Sequence, residues 1–234
     1  MRQTYPLISC ICVIDNRIHL LKRAFACFET QNYPNKELVI SYTDTDEEIK
    51  SEINSFAENT GLRILKIGRD AEETLVVSIN RSIAKCTGDY VCLWDSENWY
   101  HPSRLSFQYL NIQDAGYHYE ASILKRIILF DSAHQKAYAS SPYIWIDSIL
   151  CNKEVFLTNP FTDSVNGELK DESLIEFLQS KKSLYFIENS AFLYVRLYDE
   201  ETSGSWNYEF LAQGNECLDE NIIQSITSSL NINT

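Results

Sequence analysis

The chain has 234 residues and a formal net charge of −13, with 44% of its residues hydrophobic and 23% charged. This is the composition of a globular chain long enough to bury one substantial core, and only 7 Gly and 5 Pro exclude a collagenous or low-complexity character. The acidic balance disfavours nucleic acid and anionic membrane surfaces as main partners, so an anionic ligand would need a cation or a local basic pocket.

Cysteines number seven, an odd count, and Cys10, Cys12, Cys27, Cys86 and Cys92 fall within apolar runs. That usage suits buried thiols in a reducing compartment, not a disulfide framework. Cys10-Ile11-Cys12 is too isolated from other Cys and His to read as a zinc site. After Pro6 only about eight apolar-rich residues follow, too few to span a membrane and without a cleavage pattern. The expectation is a soluble, cytoplasmic protein with no transmembrane segment.

Leu7–Ile14 is a near-continuous apolar run, as expected for a parallel strand covered on both faces. From His19 to Gln31, Leu20, Leu21, Ala24, Cys27 and Phe28 recur at helical spacing. Asn32-Tyr33-Pro34-Asn35 is turn chemistry, and Glu37–Ser41 predicts a second strand. Thr45-Asp46-Glu47-Glu48 has the form of a capping box ahead of the stripe Ile49, Ile53 and Phe56, which ends before Gly61. Arg63–Ile67 predicts a third strand. A helix over roughly Glu72–Lys85, with Val76, Ile79 and Ile83 inward, stops at Gly88, and Asp89–Trp94 predicts a fourth strand. This alternation predicts right-handed crossovers and a mostly parallel sheet.

Beyond Pro102 the pattern changes. A helix over Pro102–Gln113 buries Leu105, Tyr109 and Ile112, with Pro102 in its first turn. Ser122–Phe130 and Lys136–Ser140 predict an antiparallel hairpin around Asp131-Ser132-Ala133-His134. Ser148–Cys151 predicts a short strand and Lys153–Leu157 a single helical turn. Asp171 opens a helix carrying Leu174, Ile175, Phe177 and Leu178, followed by strands at Leu184–Ile187 and Phe192–Leu197. Asp199-Glu200-Glu201 begins a polar loop. Leu218, Ile222, Ile226 and Leu230 predict a C-terminal amphipathic helix, and Asn231–Thr234 a frayed tail.

The chemistry concentrates after the fourth strand, in Trp94-Asp95-Ser96-Glu97-Asn98-Trp99-Tyr100-His101-Pro102. In an extended chain Asp95 and Glu97 would point the same way and Ser96 would point back. Two acids at the C-terminal end of a strand stand where α/β sheets bind ligands, and together they can hold a divalent cation. Arg81 and Arg104 could meet phosphate, although a solvated helix face is the simpler expectation for both.

Taken together, these segments resemble the inverting glycosyltransferases of family 2. Pro6–Arg17 is similar to that family's opening strand, and Gln31-Asn32-Tyr33-Pro34-Asn35-Lys36-Glu37 to its Gln-x-Tyr-Pro-Asn-x-Glu segment. Asn80–Tyr90 resembles its Asn-x-Gly-Ile helix and Thr-Gly-x-Tyr strand, with Ser82 in place of the glycine. Asp95–Leu105 resembles the Asp-x-Asp motif and the Trp-Tyr-x-Pro-x-x-Leu that follows, and Lys170-Asp171 the Glu-Asp pair whose Asp is the usual base. Glu97 stands for the family's second Asp, Asn98 for a further common Asp, and Tyr198 where a metal-binding histidine is often found.

The resemblance implies the GT-A fold, a mostly parallel Rossmann-like central sheet with helices on both faces and a small antiparallel acceptor-side sheet. It implies one domain over 1–234, with a nucleotide-sugar-binding half at 1–100, an acceptor-side half at 101–205 and a C-terminal helical extension at 206–234. It further implies a nucleotide-sugar donor, with uridine diphosphate the expected carrier, a divalent cation (Mn²⁺ or Mg²⁺), and a glycan or lipid-linked acceptor, as in polysaccharide biosynthesis. The metal falls to Asp95 and Glu97, nucleotide contacts to Asp15, Asn16, Asp44 and Asp95, and the general base to Asp171. A homo-oligomer is compatible with this reading. The alternative is a GT-A domain of weakened chemistry that binds a glycan or a partner enzyme. A nucleotidyltransferase is weaker, because no Gly-rich phosphate loop stands near the N-terminus.

Overall fold

The computed structural model describes residues 5–14, 16–116, 118–163, 169–198, 211 and 213–230. In chain order the first half alternates β1 (Ile8–Val13), α1 (Ile18–Glu29), β2 (Lys36–Thr43), α2 (Glu47–Thr60), β3 (Arg63–Arg69), α3 (Leu75–Lys85) and β4 (Tyr90–Leu93). Then come β5 (Trp99–Tyr100), α4 (Arg104–Ala115), β6 (Ala121–Leu124), β7 (Ile128–Asp131), β8 (Lys136–Ala139), β9 (Leu150–Asn152) and α5 (Lys153–Thr158). The pair β10 (Thr162–Asp163) and β11 (Leu169–Lys170) precedes α6 (Glu172–Ser180), β12 (Leu184–Ile187), β13 (Tyr194–Tyr198), β14 (Glu216–Cys217) and α7 (Glu220–Leu230).

A seven-stranded sheet has the order β12-β6-β9-β4-β1-β2-β3, in which only β9 runs antiparallel to its neighbours. Period-2 alternation sorts β1 between two cores. Ile8, Cys10 and Cys12 face α1, α2 and α4, while Ile11 faces α3, α5 and α6. Both faces are therefore covered, which is why β1 reads as an apolar run broken only by Ser9. All seven cysteines are free thiols, and six of them are buried. From β1 the chain moves outward to β2 and β3, then returns to place β4 on the other side of β1. The C-terminal ends of β1 and β4 thus meet where the strand order reverses, the position at which open α/β sheets hold ligands.

The second sheet, of order β14-β8-β7-β13-β5, carries the mixed pairings. The predicted Ser122–Phe130 strand is in fact two strands in two sheets. β6 joins the large sheet and only β7 pairs with β8. Lys125, Arg126 and Ile127 make the crossing, and the backbone N–H groups of Lys125 and Ile127 are satisfied by the Ile187 carbonyl and the Ser140 hydroxyl. α7 lies on this sheet through Ile223 and Ile226, whereas Ile222, expected inward, is 42% exposed. The expected polar loop at Asp199-Glu200-Glu201 and the tail from Asn231 lie outside the described residues.

Helix starts also differ from expectation. Asp46, not Thr45, caps α2 by accepting the Ile49 N–H. Pro102 lies before α4, whose N-cap Ser103 makes no side-chain cap. Instead the buried Gln31 carboxamide accepts the Leu105 N–H and donates to the His101 carbonyl. The Gln of the Gln-x-Tyr-Pro-Asn-x-Glu segment is thus a helix cap supplied from 74 residues away.

The Glu of that segment is also structural. Buried Glu37 accepts the Ser9 hydroxyl at 2.6 Å, the Thr87 N–H at 2.7 Å and the Thr87 hydroxyl at 2.7 Å. Ser9 in turn accepts the Gly88 N–H. A Cβ on Gly88 would stand 2.4 Å from Ser9 Oγ and 2.7 Å from the Leu7 carbonyl, so only glycine lets the chain approach β1 here. This network sets the entry of β4 beside β1. Glu37→Ala strands those donors, and we expect it to lower the unfolding free energy by about 3 kcal/mol or more. Urea denaturation measures this, and a loss under about 1 kcal/mol would remove Glu37 from that role.

Candidate active site

β4 leaves the sheet at Leu93, and Trp94 is fully buried with its indole N–H on the Ala24 carbonyl. Beyond it the chain does not stay extended. Asp95–Asn98 closes as a turn, with the Asn98 N–H directed at the Asp95 carbonyl. Asp95 Oδ1 accepts the Glu97 N–H at 2.9 Å, and Oδ2 accepts the Asn98 carboxamide at 2.6 Å. The side chain thus imitates a backbone turn, as aspartates do. The extended backbone expected here is therefore replaced by a turn, yet Asp95 and Glu97 still line one cavity of about 240 Å³, together with Ser96.

Burial pushes the Asp95 carboxyl up to about 6. The Glu97 N–H bond opposes the rise, the Glu97 and Asp147 charges add to it, and Arg196 opposes it. Glu97 forms an ion pair with Arg17, and Arg23 donates to the Glu97 carbonyl at 3.1 Å. Arg17 also lines the cavity, so the cation paired with Glu97 stands inside it. Among the described residues no cluster of three or more His, Cys, Asp and Glu could hold a metal alone.

Asp171 lies on a second cavity of about 700 Å³. It is the N-cap of α6, yet its side chain makes no cap hydrogen bond. Burial raises its carboxyl, and the Asp147 and Glu172 charges add to the rise while a backbone hydrogen bond opposes it. Asp147 lines both cavities and so connects the sites of Asp95 and Asp171. Its carboxylate pairs with Arg196 at 2.6 Å. Sequence reasoning missed both residues. The available signal was a lone charge in an aromatic-rich run, in Tyr143-Ile144-Trp145-Ile146-Asp147 and in Tyr194-Val195-Arg196-Leu197-Tyr198.

The nucleotide residues are dispersed. Asn16 lines a polar cavity of about 650 Å³ with Thr43, Asp46 and Arg69, at the ends of β2 and β3. Asp44 turns to solvent, 66% exposed, and pairs with Lys50. Asp15 lies outside the described residues. Neither helix-face arginine is solvated as expected. Arg81 pairs with Glu73 and donates to the Gly68 carbonyl. Arg104 is fully buried, its guanidinium 4.4 Å from the Tyr100 ring centroid, 5.3 Å from Tyr194 and 5.5 Å from Trp94. It donates to the Asp147 carbonyl at 3.3 Å, so it fixes the residue that both cavities share.

Solved structures with the same fold include the mannosyltransferase PcManGT from Pyrobaculum calidifontis, in complex with GDP-Man and Mn²⁺. It is 13% identical with a TM-score of 0.62, over 99% of this chain and 66% of that one. S. aureus TarS 1-349 is 12% identical with a TM-score of 0.59, over 81% of this chain and 60% of that one, and complexes of it with UDP and UDP-GlcNAc are among the similar structures. The chain spans 36% of the longer TarS chain. No curated protein matches by sequence. These likenesses establish the GT-A fold. The sequence model of Glycosyl transferase family 2 matches residues 9–157, which covers both acids of the turn after β4, and the chain belongs to that family.

Proposed function

We propose that the chain moves a hexose or N-acetylhexosamine from a nucleotide-sugar, most suitably a uridine diphosphate one, to a glycan or lipid-linked acceptor with inversion at the anomeric carbon. One observation carries this reading: the cavity of Asp95 and Glu97 at the switch point adjoins, through Asp147, the cavity of Asp171. The similar structures hold UDP, UDP-GlcNAc or GDP-Man with Mn²⁺, which supports the donor class.

The donor set fits a hard divalent cation. Mg²⁺ and Mn²⁺ sites commonly take one or two carboxylates, with substrate phosphates and water completing the coordination. Asp95 and Glu97 would hold the ion, and when bound it would neutralise charge on the departing diphosphate. Glu97 pairs with Arg17 through one oxygen, so the ion would take the other oxygen or displace the guanidinium, which would then be free for phosphate oxygens. The polar cavity of Asn16 and Arg69 suits the nucleoside. Asp171 takes the proton from the acceptor hydroxyl as its oxygen bonds to the anomeric carbon and the bond to the diphosphate breaks. Its raised carboxyl suits a general base.

In this reading residues 1–100 form the donor half, 101–205 the acceptor half and 206–234 a helical extension. Seven free thiols fit the reducing cytoplasm, and among the described residues no helix is long and apolar enough to cross a membrane. The engagement of Glu97 by Arg17 favours a second reading, a recognition domain without turnover.

Thermal shift separates the two readings. UDP with Mn²⁺ at a hundredfold over Kd should stabilise the protein by about 2.7 kcal/mol. Asp95→Ala should abolish that gain, and a flat response in the wild type favours the recognition domain. Asp171→Asn should lower kcat by roughly 10²- to 10⁴-fold while leaving UDP affinity unchanged, as stopped assays and titration would measure.

A third expectation concerns pH. Because the Asp95 carboxyl is raised to about 6, the folded chain keeps a proton there that the unfolded chain releases near pH 4. Its contribution to stability is therefore full below about pH 4 and is lost as pH rises towards 6. Asp95→Asn should remove that decline and give a free protein no less stable than wild type at pH 8, measured by urea denaturation across pH. A steeper decline in the variant would contradict the assignment.

A further inference from the structure

We infer that the cavity of about 700 Å³ carrying Asp171 takes an uncharged saccharide, and that the Asp147–Arg196 pair is what turns anionic acceptors away. The inference rests on the acceptor role proposed above for that cavity.

The lining is amphipathic in the manner of a sugar. Tyr143 and Trp145 meet edge to face with ring centroids 5.3 Å apart, and Tyr143 is 65% exposed, so an aromatic wall stands open to a ligand. Such rings accept the C–H faces of pyranoses while leaving hydroxyls at the rim. Gln213 adds a carboxamide, which can donate to and accept from hydroxyls, while the Asn215 carboxamide is held by the Ser141 N–H and the Leu211 carbonyl and shapes the rim. A purely apolar chain would bring no hydroxyl to Asp171, whose side chain caps no helix N–H.

Charge then decides among polar ligands. Two carboxylates, Asp147 and Asp171, line the cavity against one guanidinium, that of Arg196. Arg196 is already engaged, by Asp147 at 2.6 Å and by the Tyr198 side chain, with its guanidinium 5.8 Å from the Trp145 ring centroid. A hexuronate or phosphorylated sugar would have to displace Asp147 from Arg196 and would then lie beside two acids. A polyol meets no such cost, and Asp171 can accept from one of its hydroxyls.

The test is saturation-transfer NMR on the full chain, with uncharged β-linked glucose and N-acetylglucosamine oligosaccharides and with the same backbones carrying hexuronate or phosphate. The uncharged series should bind at least about tenfold more tightly. Tyr143→Ala, a change at an exposed ring, should weaken it by about tenfold without moving Tm. Asp147→Asn frees Arg196 and should raise hexuronate affinity by about tenfold. Equal or tighter binding of the anionic series by the wild type overturns the inference, as does an inert Tyr143→Ala. Should Asp147→Asn fail to fold, those two comparisons still decide. A UDP and Mn²⁺ titration on the same sample separates the two proposals. Nucleotide binding without any saccharide binding overturns this inference alone. Uncharged saccharide binding without nucleotide binding upholds it and sinks the transferase reading.

Discussion

The hydrogen bonds that Asp95 accepts from its own turn organise the site. A carboxylate at the end of a buried strand loses hydration, and the loss is tolerable only where donors converge on it. The Glu97 N–H and the Asn98 carboxamide supply them. The same Asn98 nitrogen reaches the Tyr194 hydroxyl on β13, and the Tyr100 hydroxyl reaches the Asp95 carbonyl. Solvating one acid thus fastens the large sheet to the small one. Donor supply falls short of complete compensation, and the carboxyl stays raised. A cavity-lining acid so poised is a common mark of a functional site.

Arg104 sits beneath this turn and extends the constraint. Its guanidinium is fully buried and lies over the rings of Tyr100, Trp94 and Tyr194, with Gln108 and the Asp147 carbonyl accepting its N–H groups. Arginine suits such a place because its planar, weakly hydrated cation stacks on aromatic faces. The residue that holds the aromatic floor of the Asp95 turn therefore also positions Asp147. Since Asp147 lines both cavities, their relative placement follows from packing under the site and not from the loops around it.

Much of the fold was legible because burial imposes a period. β1 is apolar at every position but Ser9 since both faces are covered, and α1, α3 and α6 show their stripes since one face is. The acids at the β4 tip were legible for the same reason, as charge interrupting an apolar run. What escaped depends on partners distant in sequence. Nothing local to Ser103 tells that Gln31 caps α4, and nothing in a helical arginine tells that Arg104 is enclosed by three aromatic rings. The split of Ser122–Phe130 between sheets turns on three residues whose satisfaction comes from Ile187 and Ser140. The extended conformation expected at Asp95–Glu97 gave way to a turn because a side chain replaced the ladder as hydrogen-bond partner. Asp147 was missed because its importance lies in where two cavities meet, which no spacing encodes.

The net charge of −13 opposes the diphosphate ligand proposed above, and local arginines offset that opposition. Arg17, Arg23, Arg69 and Arg196 come from the turn before α1, from α1, from β3 and from β13, and three of them line the cavities described above: Arg17 that of Asp95, Arg69 that of Asn16 and Arg196 that of Asp171. In the free protein each is engaged: Arg17 by the Glu97 carboxylate, Arg23 by the Glu97 carbonyl, Arg69 by the Ile14 and Glu73 carbonyls and Arg196 by Asp147. Long-range repulsion between an acidic protein and an anion is screened beyond about 8 Å at physiological ionic strength, whereas contacts within a cavity are screened far less. Local cations therefore outweigh the global sum once the ligand has arrived. The global sum retains its force on encounter, where it slows an anion's approach. An anion at the Asp95 cavity meets an Arg17 already paired with Glu97, so a ligand that brings a cation for that acid has an advantage there over a bare phosphate.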